Sequence, residues 1–111
     1  METPLELETE GFAPSAHVRA LIESNIAKLE RHFGRITACR VAIRAPGEHH
    51  RMGEPYFVTV FLSLPERRHV SVKPPPKALD RRQADVTFAV NDAFRRANRQ
   101  LRDEASRLKG R

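Results

Sequence analysis

The chain has 111 residues, which fits one domain with a modest core, and we expect a single domain over residues 1–111. Its 40% of hydrophobic and 31% of charged residues are normal for a globular protein, and no apolar run reaches the length of a transmembrane helix. The only cysteine, Cys39, excludes an internal disulfide, and the acidic start METPLELETEG is unlike a secretory signal. These features predict a cytoplasmic protein.

The formal net charge of +6 is unevenly distributed. Residues 1–30 contain six acids and two bases, a net charge of −4, whereas residues 31–111 contain eight acids and eighteen bases, a net charge of +10. A basic segment attracts polyanions, first RNA or DNA and then an anionic membrane. Basic residues can also serve only to keep a protein soluble.

The first third of the chain predicts a strand followed by a helix. Residues 5–10 alternate Leu or Thr with Glu, which is typical of a half-buried strand, and Gly11 ends it. The sequence APS, with Pro14 or Ser15 in the first turn, indicates a helix start. The apolar residues that follow form one helical face: Val18, Leu21, Ile22, Ile26, Leu29 and Phe33.

Three further strands are predicted in ITACRVAIR (36–44), YFVTVFLSL (56–64) and HVSVK (69–73), because apolar residues alternate in each. The turn-rich stretch PGEHHRMGEP (46–55) separates the first two. Three prolines, at 74–76, end the last strand, since proline cannot donate to a ladder.

A second helix is predicted from about Asp85 to about Lys109, after a linker at 77–83. Its apolar stripe consists of Val86, Val90, Ala93, Phe94, Ala97, Leu101 and Leu108. The order β-α-β-β-β-α predicts an α+β fold, a four-stranded mixed sheet with two helices packed on one face. We expect a right-handed crossover between the first two, parallel strands, an antiparallel meander of the last three strands, and one open sheet face.

The basic residues of the predicted helices are separated from the acidic ones. On the second helix, Arg95, Arg99 and Arg102 lie opposite the apolar stripe, flanked by Arg96, Arg107 and Lys109. On the first helix, Ser24, Lys28, Arg31 and Arg35 share one edge, and Glu23 and Glu30 lie on the other. This separation favours a polyanion-binding face, because a helix that is merely solvated mixes both signs for i, i+4 pairs. Arginine forks also match phosphate oxygens.

Catalytic and metal sites are disfavoured by the sequence. His49 and His50 could bind a metal, but zinc requires further ligands, so we interpret them as a solvated loop pair that can touch phosphate. Cys39 lies on an apolar strand face and is interpreted as a core residue rather than a nucleophile. The sequence has no Gly-rich phosphate loop and no supported Ser-His-Asp arrangement. We therefore predict a binding protein, not an enzyme, with no cofactor and no metal.

Phe57 and Phe61 are predicted to point to the open sheet face. Exposed aromatic residues on a sheet can stack on single-stranded bases or pack against another protein. The favoured alternative is that Arg40 and Arg44 on the neighbouring strand shield them.

Two long stretches resemble one family, the ribosome hibernation-promoting factors and the related ribosome-associated inhibitor A. AKLERHFGRI (27–36) is similar to the end of the first helix of these proteins, with the pattern A-K-L-E-x-x-F-x-R-I. DVTFAVNDAFRRANRQL (85–101) is similar to their second helix. The loop APGEHHRMGEPYFV resembles that of one branch of the family. The likeness extends from about Leu5 to about Lys109, and the family fold agrees with the β-α-β-β-β-α order.

The resemblance implies a ribosome-associated hibernation factor that binds rRNA in the decoding region of the small ribosomal subunit. Such a factor blocks mRNA and tRNA and silences translation under stress. Lys28, Arg96 and Arg99 match basic positions of the family and are expected to bind rRNA. The helical wheel and the charge add further candidates: Arg31, Arg35, Lys73, Arg95, Arg102, Arg107 and Lys109.

The expected partners are the small ribosomal subunit and its rRNA, with no membrane and no small-molecule substrate. Since the chain ends just past the second helix, we expect a short member of the family that is monomeric off the ribosome. Two alternatives remain: a free-standing double-stranded RNA-binding module, whose α-β-β-β-α order this chain contains, and a protein-interaction domain that uses the open sheet face.

Overall fold

The computed structural model describes residues 3–45, 56–74 and 85–109, with side chains up to residue 104. Its elements follow the predicted order. They are β1 (Leu5–Glu10), α1 (Ala16–Phe33), β2 (Ala38–Arg44), β3 (Phe57–Ser63), a 3-10 turn (Pro65–Arg67), β4 (His69–Val72) and α2 (Val86–Lys109). The loop with His49 and His50, and the linker at 77–83, lie outside the described residues.

The four strands form one mixed sheet in the order β1-β2-β3-β4. β1 pairs with β2 in parallel, and the other two pairings are antiparallel, as predicted. Val41 at the middle of β2 pairs with Leu7 on one side and Val60 on the other. Because side chains alternate along a strand, this register aligns the apolar residues of all four strands on one face.

That apolar face and the two helices enclose the core. The helices contribute Ile22, Ile26, Val90 and Ala97, which are all completely buried. Ala89 belongs to the buried stripe of α2, although the predicted stripe omitted it, and the side chain of Leu108 lies outside the described part. The confirmed arrangement is therefore an α+β fold, with none of the described elements packed on the opposite face of the sheet.

Local capping fixes both ends of α1. The Ser15 hydroxyl accepts a hydrogen bond from the Val18 N–H at 3.1 Å, which makes Ser15 the N-cap. At the other end, Gly34 has a φ of +81° and donates its N–H to the Glu30 carbonyl at 2.9 Å. The helix therefore stops at Phe33. The expectation that Arg35 shares a helical edge with Lys28 was wrong, because Arg35 lies beyond the cap in the segment that enters β2.

The N-terminus of α2 is capped in a similar way, since the Asp85 carboxylate accepts from the Thr87 N–H at 2.8 Å. Neither helix, over the part of the chain that the structure describes, is long and apolar enough to cross a membrane.

Thr3 ties the start of the chain to the far end of α1. It is 3% exposed, and its hydroxyl lies 2.7 Å from Glu30 Oε2 and 3.2 Å from the Ile36 carbonyl oxygen. Its backbone N–H also donates to Glu30 Oε2 at 3.3 Å. These contacts hold β1, the end of α1 and the entry to β2 in one place.

Candidate nucleic-acid interface

The two helices run parallel, side by side, and polar residues line the seam between them. Asn25 Nδ2 on α1 donates to Asn91 Oδ1 on α2 at 3.0 Å. One heptad further along both helices, His32 and Phe33 face Asn98 and Arg102 across a depression of about 360 Å³. Because a step of seven residues along α1 corresponds to a step of seven residues along α2, the two helices run in the same direction.

In the second half of α1, the exposed cations lie apart from the acids. Lys28 and Arg31 are exposed in the second half of the helix. Glu23 forms an ion pair with Arg19 at 3.5 Å, and Glu30 bonds to Thr3 on the side of the N-terminal segment. The separation therefore holds for Lys28, Arg31 and Glu30 in the second half of the helix, whereas Arg19 and Glu23 in the first half form an i, i+4 pair of opposite sign.

On α2, Arg95, Arg99 and Arg102 are exposed, as the helical wheel predicted. Arg102 Nε donates to Asn98 Oδ1 at 3.2 Å, which holds this guanidinium beside the seam. We call the set of Lys28, Arg31, Arg95, Arg99 and Arg102 the basic helix surface. It is the outer surface of the helix layer, on the opposite side of the molecule from the open sheet face.

Arg96 has a different environment from the other arginines. Its side chain is 33% exposed, forms an ion pair with Asp92, and donates through Nη1 to the Lys73 carbonyl oxygen at 3.4 Å. Arg96 thus ties α2 to the end of β4. Lys73 is itself exposed there, at the flank of the helix layer.

Three further predicted site residues are not assigned to this surface. Arg35 is exposed beyond the end of α1. Arg107 and Lys109 belong to α2, but their side chains lie outside the described residues, so they stay predictions.

The open sheet face has a mixed character. Arg44 lies over the Phe57 ring, with Cζ 4.8 Å from the centroid, and Arg40 pairs with Glu6 at 3.2 Å. Phe61 remains 37% exposed and stacks on His69 with centroids 5.4 Å apart. The predicted shielding therefore holds for Phe57. Since the glutamates of β1 lie beside these arginines of β2, this face is a poor phosphate-binding surface compared with the helices.

The described residues provide little for nucleophilic or metal chemistry. Cys39 is 2% exposed, and burial raises the pKa of its thiol to about 12, which confirms that it is a core residue. Within the described ranges, no group of three or more His, Cys, Asp or Glu side chains could hold a metal ion.

Sequence reasoning missed the polar residues at the seam, Asn25, His32 and Asn98, and the role of Asp92. Asn25 and His32 lie seven residues apart on α1, as do Asn91 and Asn98 on α2, which is a weak sequence signal. A wheel drawn for one helix cannot show which of its edges meets the other helix. The pairing became visible only with the parallel packing.

The fold and this surface define a β-α-β-β-β-α protein that presents a layer of two parallel basic helices. The chain belongs to the sigma 54 modulation protein / S30EA ribosomal protein family, whose model matches residues 5–109. This membership confirms the resemblance to hibernation factors that the two helix motifs carry.

Solved structures support the fold independently. A ribosomal subunit interface protein from Coxiella burnetii superposes with a TM-score of 0.70 at 14% identity, covering 94% of this chain and 99% of that one. The N-terminal domain of Protein Y from Thermus thermophilus superposes with a TM-score of 0.64 at 18% identity, covering 89% and 94%. At these identities the likeness extends to the fold alone. No curated protein matches the sequence.

Proposed function

We propose that this protein binds rRNA in the decoding region of the small ribosomal subunit through the basic helix surface, and silences translation there under stress. The site lies in the cytoplasm, where ribosomes work. Family membership supports the ribosome as the partner. The observation that carries the choice of surface is the exposure of five cations on the outer sides of two parallel helices.

The proposed mechanism is occupancy rather than catalysis. Exposed guanidinium and ammonium groups on parallel helices can meet successive phosphates of folded rRNA, and this attraction needs no chemical step. A protein held in the decoding region excludes mRNA and the anticodon end of tRNA. Inhibition is then stoichiometric with ribosomes, raising mRNA and tRNA reverses it, and the rRNA stays intact.

The first test is cosedimentation of the protein with small subunits, large subunits and a short RNA duplex in the same salt. Selective pelleting with the small subunit supports the proposal. Equal binding to the duplex at matched phosphate concentration points instead to a general double-stranded RNA-binding module. No binding to any RNA overturns both functions.

A charge-reversed variant then locates the interface. Lys28→Glu combined with Arg99→Glu changes the net charge by −4 and alters only exposed positions of the basic helix surface. Arg40→Glu with Arg44→Glu makes the same change on the open sheet face and serves as the control. We expect the first pair to abolish small-subunit binding and the second to retain most of it, with the circular dichroism and thermal melting of both variants unchanged. The reverse result assigns the interface to the sheet.

Titration of a translation assay at fixed ribosome concentration tests the mechanism. Complete inhibition at a few per cent of the ribosome concentration, or cleaved rRNA on a gel, would show an enzyme and overturn occupancy.

A further inference from the structure

An acid lies among the arginines of α2. Each oxygen of the Asp92 carboxylate forms an ion pair. Oδ1 lies 2.5 Å from Arg95 Nη2, and Oδ2 pairs with Arg96 Nη2. The Asp92 side chain is only 14% exposed, whereas Arg95 is 64% exposed. One carboxylate therefore binds two of the arginines that sequence reasoning assigned to RNA.

Further contacts restrict both arginines. Arg96 also donates to the Lys73 carbonyl oxygen at 3.4 Å, which fixes it against the end of β4. Arg95 Cζ lies 6.0 Å from the centroid of the Phe88 ring, about two turns earlier on the helix. Arg95 stays 64% exposed, and a guanidinium carries five N–H donors, so its bond to Asp92 leaves donors that can face a ligand.

This arrangement has two opposite effects on an approaching phosphate. The loss of side-chain freedom on ordering Arg95 and Arg96 is already incurred in the free protein, which favours an RNA whose phosphate fits the fixed fork. The negative charge of Asp92 weakens the general attraction for every other phosphate position, because it cancels part of the local positive charge. The protein discriminates between RNAs when a matching RNA gains from the pre-ordered arginines and other RNAs are bound more weakly because of the Asp92 charge.

We propose that Asp92 is a positioning residue that sets RNA specificity: it holds Arg95 and Arg96 in one geometry and lowers the affinity for RNA whose phosphates do not match that geometry. The inference rests on the proposed function, since the matching RNA is the folded rRNA of the small subunit. Asp92 itself does not contact the RNA.

The test compares Asp92→Asn with Asp103→Asn in the full chain. Both variants remove one negative charge from α2, and Asp103 is exposed on the same helix, so it controls for net charge. The affinities for purified small subunits and for a short RNA duplex of mixed sequence are measured in the same salt. Thermal melting followed by circular dichroism verifies that each variant is folded.

We expect Asp103→Asn to raise both affinities by a similar factor of about two to three, because a general electrostatic gain does not depend on RNA shape. Asp92→Asn should raise duplex affinity similarly but lower small-subunit affinity, so that the ratio of the two falls by about tenfold. If Asp92→Asn changes both affinities as Asp103→Asn does, the positioning role is wrong while ribosome binding stands. Failure of the unaltered protein to bind small subunits overturns the proposed function itself.

A second variant tests whether Asp92 acts through Arg95. Arg95→Lys keeps the charge but loses the planar fork. In that background, Asp92→Asn should reduce the affinity ratio much less than it does alone, because the geometry it supports is already lost. An undiminished effect would mean that Asp92 acts without Arg95 and would contradict the inference.

Discussion

At the scale of single residues, Thr3 shows how one buried hydroxyl can join three elements. Thr3→Val keeps the shape but removes the group that lies within hydrogen-bond distance of Glu30 and the Ile36 carbonyl. We expect it to lower the free energy of unfolding by about 1–2 kcal/mol, the usual cost of an unmade buried hydrogen bond. Urea denaturation measures the change. Thr3→Ser retains the hydroxyl and should lose less, and a larger loss for Thr3→Ser than for Thr3→Val would show that the methyl group matters more than the hydroxyl.

Cys39 gives a prediction about pH. Burial raises the pKa of its thiol from 9.0 to about 12, so the folded protein holds the proton over a range in which the unfolded chain releases it. The unfolded state then binds fewer protons, and the free energy of unfolding should fall between about pH 9 and 12, by up to about 1.4 kcal/mol per pH unit from this group. The difference between the native protein and Cys39→Ala isolates that contribution from other titrations. A pH-independent difference would mean that the thiol ionises without unfolding.

At the scale of elements, the end of α1 depends on Gly34. Its φ of +81° and ψ of −135° lie in a region that L side chains rarely adopt, and an added Cβ would meet no atom within 4 Å. Gly34→Ala should therefore cost about 1–3 kcal/mol of stability through backbone strain alone. Gly34→Ser should cost about the same, as measured by denaturant unfolding. A cost that grew with side-chain size would point to a steric cause instead.

Hydrophobic periodicity predicted the elements well because the core is built on it. The alternation in β2 and β3 and the stripe of α2 correspond to buried residues, since each element packs one face on a single core. The candidate site was less predictable. The wheel extended α1 through Gly34 to Arg35, and it treated Arg96 as a free cation although Asp92 and Lys73 engage it. Periodicity describes which side of a helix is buried, but it cannot show which polar partner a second element supplies.

At the scale of the whole molecule, the opposite characters of the two faces predict an electrostatically driven complex. If six phosphates are contacted, the logarithm of the affinity for small subunits should fall with the logarithm of the salt concentration with a slope of roughly −4 to −5. Fluorescence titration over a range of salt concentrations measures it. The Lys28→Glu, Arg99→Glu variant, which we expect not to bind, gives the background signal. A slope near zero for the unaltered protein would remove phosphate contacts from the explanation.

The position of β1 at the edge of the sheet affects self-association of the protein. A strand at the border of a sheet presents unpaired backbone groups that can recruit an identical strand and begin aggregation. Glu6, Glu8 and Glu10 point to one side of β1, so any antiparallel pairing of two such strands that keeps both cores on one side sets glutamate opposite glutamate. The mutual repulsion discourages self-association, and we expect that the protein can accumulate in the cell without joining its sheets into larger assemblies.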